Sequence, residues 1–375
     1  MSRILYVIDR PNSYGSEQHL FDVVSFQHRS HAVRVLAFRN GPLISRLQAI
    51  GIEVETVEWL SWTITPTKCR RLMRAIRRFG PDLVHSHQPK ASFYCSLLCR
   101  LHGIPHVPTI HTLPVQAAAR YRGIKRAVVY AFHLCVMWSV ELLSGQTIHV
   151  SRYTIKRYAL VPHKAILIRN WLSPQLLDSS SSIRPPRSNR YNYLCVGSID
   201  PSKGTLELIT LFDRLLRYQP AARLTIVGDG QNEPYKRQVE HLILSRGLAE
   251  QVVLAGYQDN PSAYYSTHDV FILLTKGESF GLVFVEAMYY GLLVICPDLD
   301  ILREIVHSAN LFIDPKAPDI ERAVAAFVDS ADVEGVAAAN RSWAVEQYDY
   351  ETQQRKLAEA YDRILRAARC LLYTI

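Results

Sequence analysis

The chain has 375 residues, 48% of them hydrophobic and 21% charged, and carries a net charge of +9. This is the composition of an ordinary soluble globular protein, at a length beyond what one core usually supports, so two domains are expected. Residues 1–175 hold 23 Lys/Arg against 8 Asp/Glu, a balance of +15, whereas residues 191–375 hold 17 against 25, a balance of −8. The asymmetry points to an anionic partner for the first half only: a membrane surface, phosphates or nucleic acid, set against the plainer reading of a solvated surface.

The opening MSRILYVIDRP reads as a short strand rather than a secretory signal, because its apolar run is brief and no small-residue cleavage site follows. Apolar runs recur at Ile4–Ile8, Val33–Ala37, Leu83–His85, His106–Ile110, Thr147–Val150 and Ala165–Ile168, with helical stretches between them. One of these helices, in KCRRLMRAIRRFG, sets Leu72, Met73, Ile76 and Phe79 at helical spacing, with Arg70, Arg74, Arg77 and Arg78 largely on the other side. Further on, Arg120, Arg122, Lys125 and Arg126 precede the longest apolar stretch, Ala127–Leu143. Those 17 residues make a helix of about 25 Å, short of the ~30 Å hydrocarbon core, so no transmembrane span is expected, although the segment suits a bilayer interface. Seven cysteines lie scattered without a C-x-x-C pair. Cys95 and Cys99 stand one helical turn apart with no second pair to complete a zinc site, so free thiols in a reducing compartment are expected.

SSSSIRPPRSNR, residues 179–190, has no apolar periodicity and reads as a linker. Beyond it the runs resume at Tyr193–Val196, Arg223–Val227, Val252–Leu254, Val270–Leu274, Leu293–Ile295 and Leu311–Ile313. Continuous rather than alternating hydrophobicity marks strands covered on both faces, and intervening helices imply parallel sheets. The expected architecture is α/β: two doubly wound Rossmann-like domains, 1–178 and 191–350, facing across a cleft, with a helix over 351–375 packing back on the first. Open parallel sheets bind ligands beyond the carboxyl ends of their strands.

At such an end lies GESFGLVFVEAMYYG, Gly277–Gly291. Ser279 is a plausible N-cap for a helix from about Phe280 to Tyr290, and Gly291 suits the left-handed position after it. Glu278 then sits at the strand's carboxyl end and Glu286 two turns into the helix. The N–H groups of Phe280, Gly281 and Leu282 point into the same space. Two carboxylates and a ring of amides suit a polyhydroxylated ligand. Either glutamate alone reads more simply as a helix-terminal charge or a salt bridge.

The stretch resembles the E-x7-E signature of retaining family-four glycosyltransferases (glycosyl transferases group 1) of the GT-B type, with its E-x-F-G-L-x-x-x-E-A-M-x-x-G flanks. Similarity extends along nearly the whole chain: YGSEQHL at Tyr14–Leu20, PDLVHSHQPKA, TIHTL and IHVSRYTIKRY in the first half, and VGSIDPSKG, LTIVGDG and VVLAGYQDN in the second. The resemblance implies a donor site for a nucleotide-sugar such as a UDP- or GDP-sugar. Glu286 would bind ribose hydroxyls, and Glu278 the transferred sugar with the amides of Phe280, Gly281 and Leu282. Lys203 would neutralise the diphosphate, Gly15 would let backbone amides approach it, and His111 would reach the sugar near its anomeric carbon. A histidine in TIHTL is otherwise more often a satisfied core group. Ser198 stands where the family usually has Arg, which removes a cation from the phosphate clamp.

The resemblance further implies transfer with retention to a glycan or lipid-linked acceptor, in polysaccharide or glycolipid biosynthesis. No cofactor and no metal are expected, since Asp298-Leu299-Asp300, a D-x-D, follows a strand inside the second domain and reads as coincidence. Two alternatives stand beside this reading. A non-catalytic relative that binds nucleotide-sugar or serves as a complex subunit is motivated by Ser198. A two-domain oxidoreductase lacks its fingerprint, because VGDGQNE has no third glycine. The expected location is cytoplasmic, peripheral on a membrane face through the basic first domain. Nucleic acid is disfavoured because no aromatic stacking platform accompanies the basic residues.

Overall fold

A computed structural model describes residues 1–12, 15–59, 61–119, 121–175, 191–230 and 232–372. The expected linker at 179–190 lies outside the described residues, as do Tyr14 and Arg120. The chain divides into two compact units. The first comprises residues 1–117, 127–171 and 350–375, and the second residues 118–126 and 172–349. The division after Trp171 differs from the boundary expected at 178, and the backbone shows why: the Leu172 N–H donates to the Tyr348 carbonyl at 3.0 Å within the second unit.

The first unit holds a seven-stranded sheet in the order β3-β2-β1-β4-β5-β6-β7, parallel throughout. Its strands are β1 Arg3–Ile8, β2 Ala32–Ala37, β3 Glu53–Thr56, β4 Leu83–His87, β5 His106–Ile110, β6 Thr147–His149 and β7 Ala165–Leu167. Strand alternation divides β1 between two cores. Ile4, Tyr6 and Ile8 face the helix Gly15–Gln27, whereas Leu5 and Val7 face the helices Pro66–Phe79 and Pro89–Leu101. The C-terminal helix Tyr350–Leu372 completes the first of these layers with Leu357, Ala360, Tyr361 and Leu365. The Tyr361 phenol reaches the His85 Nδ1 at 2.5 Å and the Tyr6 hydroxyl at 3.1 Å.

The edge strand β3 escaped the apolar-run criterion because its sequence is EVET. It is held instead by pairing to β2 and by Arg34 and Arg78, which bridge to Glu53 at 2.6 Å and Glu55 at 3.1 Å. In the helix Pro66–Phe79 the apolar residues Leu72, Met73, Ile76 and Phe79 are buried, and Arg70, Arg74, Arg77 and Arg78 are exposed. The second basic segment departs from expectation. Its helix runs Gly123–Leu143, 21 residues, long and apolar enough to cross a membrane. At 1.5 Å per residue that is about 31 Å rather than about 25 Å. The apolar run begins at Ala127, but the helix extends back through Arg126 and Lys125 to Gly123. The last two turns are built into the first unit: Val136, Met137, Val140 and Glu141 are buried, and the Trp138 indole N–H donates to the Tyr158 carbonyl.

The second unit holds a parallel six-stranded sheet in the order β10-β9-β8-β11-β12-β13. Its strands are β8 Asn192–Val196, β9 Arg223–Val227, β10 Val252–Gly256, β11 Val270–Ile272, β12 Leu293–Pro297 and β13 Leu311–Ile313. Strand order reverses between β8 and β11, so the loops that follow these two neighbours diverge and leave space at their carboxyl ends. The cysteines Cys69, Cys95, Cys99, Cys135, Cys195 and Cys296 are free thiols.

Candidate active site

The expected donor residues of the second unit gather at that reversal. The chain leaves β8 through Gly197 and Ser198, turns at Pro201–Lys203, and enters the helix Thr205–Leu215. Asp200 caps the turn, its Oδ1 accepting from the Ser202 N–H at 3.0 Å and the Ser202 hydroxyl at 2.8 Å. The loop after β11 is stitched to this turn: the Lys276 N–H donates to the Ser202 carbonyl at 2.8 Å. Backbones meet so closely here that a Cβ on Gly204 would lie 2.2 Å from the Leu274 carbonyl oxygen, at a φ of +70°. A Cβ on Gly228 would lie 2.0 Å from that of Gly197. Only glycine permits both approaches.

Stitching brings Lys203 and Glu278 together across 75 positions of sequence, with Nζ 2.6 Å from Oε1. Glu278 is buried and Lys203 about a quarter exposed. Phe280 is buried edge-on against Tyr348 at 5.4 Å and anchors the loop. The helix starts at Leu282, not Phe280, and Ser279 is not its cap. Gly281 occupies the cap position at a φ of +87°, with no side-chain cap. A left-handed turn at glycine reverses the chain in one residue, which an extended serine cap cannot do. The Phe284 N–H donates to the Gly281 carbonyl at 3.0 Å, and the N–H groups of Leu282 and Val283 before it have no i−4 carbonyl within the helix. Gly291 closes the helix at a φ of +76°, as expected.

Glu286 is 8% exposed and has no cation within ion-pair distance among the described residues. The Tyr265 hydroxyl donates to its Oε2 at 2.7 Å. Burial pushes the Glu286 carboxyl up to about 7, and the tyrosine hydrogen bond only partly offsets this. Asp298 of the D-x-D forms a two-pronged bridge to Arg303 at 2.7 and 2.8 Å on the surface.

His111 and Gly15 belong to the first unit. His111 follows β5 and is 8% exposed, its Nε2 3.0 Å from the His87 Nδ1. His19 meets His111 edge-on at 4.8 Å and stacks on Trp171 at 4.2 Å. Burial lowers His111 to about 3, and burial likewise holds His19 and His87 well below the ordinary range. These imidazoles are neutral at pH 7 and act as hydrogen-bonding groups, not cations. Nitrogens of His19, His87 and His111 lie within 4.8 Å of one another, the one such grouping among the described residues that could hold a metal ion. The hydrogen bond between His87 and His111 already uses one nitrogen of each. Gly15 begins its helix with open space around an added Cβ.

Three features were missed in the sequence. Tyr265 carries no motif. Gln88, after β4, takes a φ of +71°, unusual for a residue with a side chain, and its amide bonds the Arg10 backbone and Glu17. Lys90 is buried with its Nζ 2.7 Å from Asp9 at the end of β1.

Residues 14–175 match Glycosyltransferase Family 4, and residues 179–341 match Glycosyl transferases group 1. The chain belongs to the group 1 glycosyltransferases. It is 25% identical over 320 residues to the phosphatidyl-myo-inositol mannosyltransferase of Mycobacterium tuberculosis, covering 80% of this chain and 78% of that protein. It is 24% identical over 300 residues to the glycogen synthase of the same organism, covering 76% and 69%. The crystal structure of Anabaena HepE in complex with UDP and glucose superposes with a TM-score of 0.79 over 97% of this chain and all of that one, at 18% identity. The glycosyltransferase thus has the α/β two-domain GT-B fold.

Proposed function

We propose that this glycosyltransferase moves a hexosyl group from a nucleotide-diphosphate sugar, with retention of configuration and without a metal, to a lipid-linked or glycan acceptor in glycolipid or polysaccharide biosynthesis. The observation that carries the reading is Glu286, a buried carboxylate with no cation, on the helix that starts beside the Lys203–Glu278 pair. A buried acid without a cation is costly as protein architecture and useful as an acceptor for paired ribose hydroxyls. Binding of UDP and glucose by HepE supports the same ligand class.

Transfer breaks the bond between the anomeric carbon and a phosphate oxygen. Charge develops on the diphosphate as the carbon approaches an oxocarbenium ion. Lys203 and the first-turn amides around Gly281 and Leu282 supply positive charge there. Glu278, held by Lys203, accepts from sugar hydroxyls, and neutral His111 adds a hydrogen bond near the anomeric carbon. The family resemblance implies front-face transfer: the acceptor attacks on the leaving-group face, and a donor phosphate oxygen takes its proton. No covalent glycosyl-enzyme forms.

The acceptor reading rests on charge and exposed apolar surface together. On the helix Gly123–Leu143, Ile124 is 85% exposed, Val128 61% and Phe132 46%, beside exposed Arg122, Lys125 and Arg126. Trp62, itself exposed, packs against Phe132 at 5.3 Å. An apolar strip flanked by basic residues suits an anionic bilayer surface, each basic side chain contributing about 1 kcal/mol. The mannosyltransferase relative, named for phosphatidyl-myo-inositol, supports a lipid-linked acceptor.

Incubation with UDP- and GDP-sugars, with EDTA present, should release nucleoside diphosphate. Binding without any turnover, with lipid extracts or glycans supplied as acceptors, would favour the non-catalytic alternative. In co-sedimentation the protein should follow anionic but not zwitterionic vesicles, and Phe132→Glu with Val128→Glu should abolish this. Equal recovery in the supernatant with both vesicle types would favour a soluble acceptor.

A further inference from the structure

Glu286 depends on one neighbour that no motif marks. Tyr265 lies on the short helix Ser262–Thr267, fully buried, with its ring stacked on Tyr290 at 5.5 Å and an interplanar angle of 16°. It also meets Phe271 of β11 at 6.2 Å. These contacts fix the ring, and the ring fixes the direction of its hydroxyl. That hydroxyl donates to the Glu286 Oε2 at 2.7 Å. Among the described residues the Glu286 carboxylate has no second hydrogen bond, so Oε1 remains for a ligand.

We infer that Tyr265 is a positioning residue for donor binding, orienting Glu286 so that one carboxylate oxygen is tied to the phenol and the other accepts from the ribose hydroxyls. The inference rests on the reading of Glu286 as the ribose acceptor. A phenol suits the task better than lysine or arginine. It fixes the carboxylate and favours its ionised form, but it is neutral and small enough to leave the second oxygen's acceptor capacity to the ligand. Ribose hydroxyls must donate to this carboxylate, so a protonated Glu286 is a poor partner.

The surrounding groups leave Glu286 as the one that changes state near neutrality. Cys195 on β8 faces Tyr265 and is pushed by burial up to about 12. Tyr265 itself is raised well above the ordinary phenol range by burial and by Glu286. Tyr290, at the end of the Glu286 helix, also faces Tyr265. Lys203 is engaged with Glu278, and Arg341, from the helix Val333–Gln347, donates to the Tyr289 carbonyl at 3.2 Å. With Glu286 near 7, its hydrogen bond to Tyr265 opposes protonation. Removing that bond moves the titration upward by about one pH unit, the usual scale for one hydrogen bond to a carboxylate.

The test is binding of UDP, with GDP in parallel, by calorimetry from pH 6 to 9, using the full chain. Tyr265→Phe keeps the ring and its stacking. Taken as a ratio to wild type at each pH, which cancels the nucleotide's own protonation, its affinity should be lower by roughly five- to tenfold at and below pH 7 and recover to within about twofold at pH 9. Glu286→Gln should bind weakly at every pH, and adding Tyr265→Phe to it should introduce no pH dependence. A Tyr265→Phe deficit equal at all pH values would mean that the hydroxyl orients the carboxylate without favouring its ionised form, since phenylalanine keeps the packing, and would support the inference in that narrower form. A wild-type profile for Tyr265→Phe alongside weak binding by Glu286→Gln would overturn it. Wild-type affinity in Glu286→Gln would instead remove the ribose reading itself.

Discussion

Lys203→Met tests the site through stability and turnover at once. The lysine Nζ lies 2.6 Å from Glu278 Oε1, and the two side chains are 24% and 5% exposed. Methionine keeps most of the stem but leaves the glutamate carboxylate buried without its cation. Breaking a fully buried pair from one side costs about 3–5 kcal/mol. Here the lysine end is open to water, which screens the pair and lets solvent reach the carboxylate, so about 2 kcal/mol is expected. For a unit of this size that lowers the melting midpoint by about 4–8 °C. Differential scanning calorimetry without nucleotide reads it directly. Glu278→Gln in the same chain removes the stranded charge, so the double variant should recover more than half of the lost stability. Turnover should stay low in both single variants and in the double, because the donor loses its cation or its hydroxyl acceptor in each. Double-mutant-cycle coupling indistinguishable from zero would refute the pair as a structural contact. Wild-type turnover in the double variant would refute its place in the site.

Ser198→Arg should tighten UDP-sugar binding by about 1.5–3 kcal/mol through a charge-assisted bond to the diphosphate, and unchanged affinity would show that the clamp is complete without it. Gly228→Ala should destabilise the second unit by at least about 3 kcal/mol, because its Cβ would lie 2.0 Å from a carbonyl oxygen at a φ of +142°. A wild-type urea midpoint would contradict that geometry. Buried His106 and His111, lowered to about 3, and His149, lowered to about 4, bind protons more readily in the unfolded chain. Stability of the first unit should therefore be full above about pH 6.5 and fall as pH drops towards 4, by roughly 1.4 kcal/mol per histidine per unit. A flat stability profile between pH 7 and 5 would be inconsistent with neutral, buried rings.

Local pattern determined a large part of this protein. Runs such as Arg223–Val227 and His106–Ile110 are strands because branched and apolar side chains must be covered on both faces, a condition written into consecutive residues. The spacing of Glu278 and Glu286 places one acid after a strand and the other on the helix that follows, although the start at Leu282 puts Glu286 about one turn in rather than two. Tertiary structure decided what depends on distant residues. Apolar periodicity gives a helix at Gly123–Leu143 but cannot say which stretch of it is covered, and Ile124 and Val128 in its first turns prove exposed while Val136 and Val140 in its last turns are buried. Ser279 satisfies the rule for a cap, yet Gly281 takes the position because the backbone there turns left-handed. Lys203 meets Glu278, and Tyr361 meets Tyr6, across 75 and 355 positions of sequence. Tyr265, 21 positions before Glu286, is an unremarkable aromatic in the sequence. A hydrogen bond needs about 3 Å and a direction, and only the packing of one helix against another supplies both.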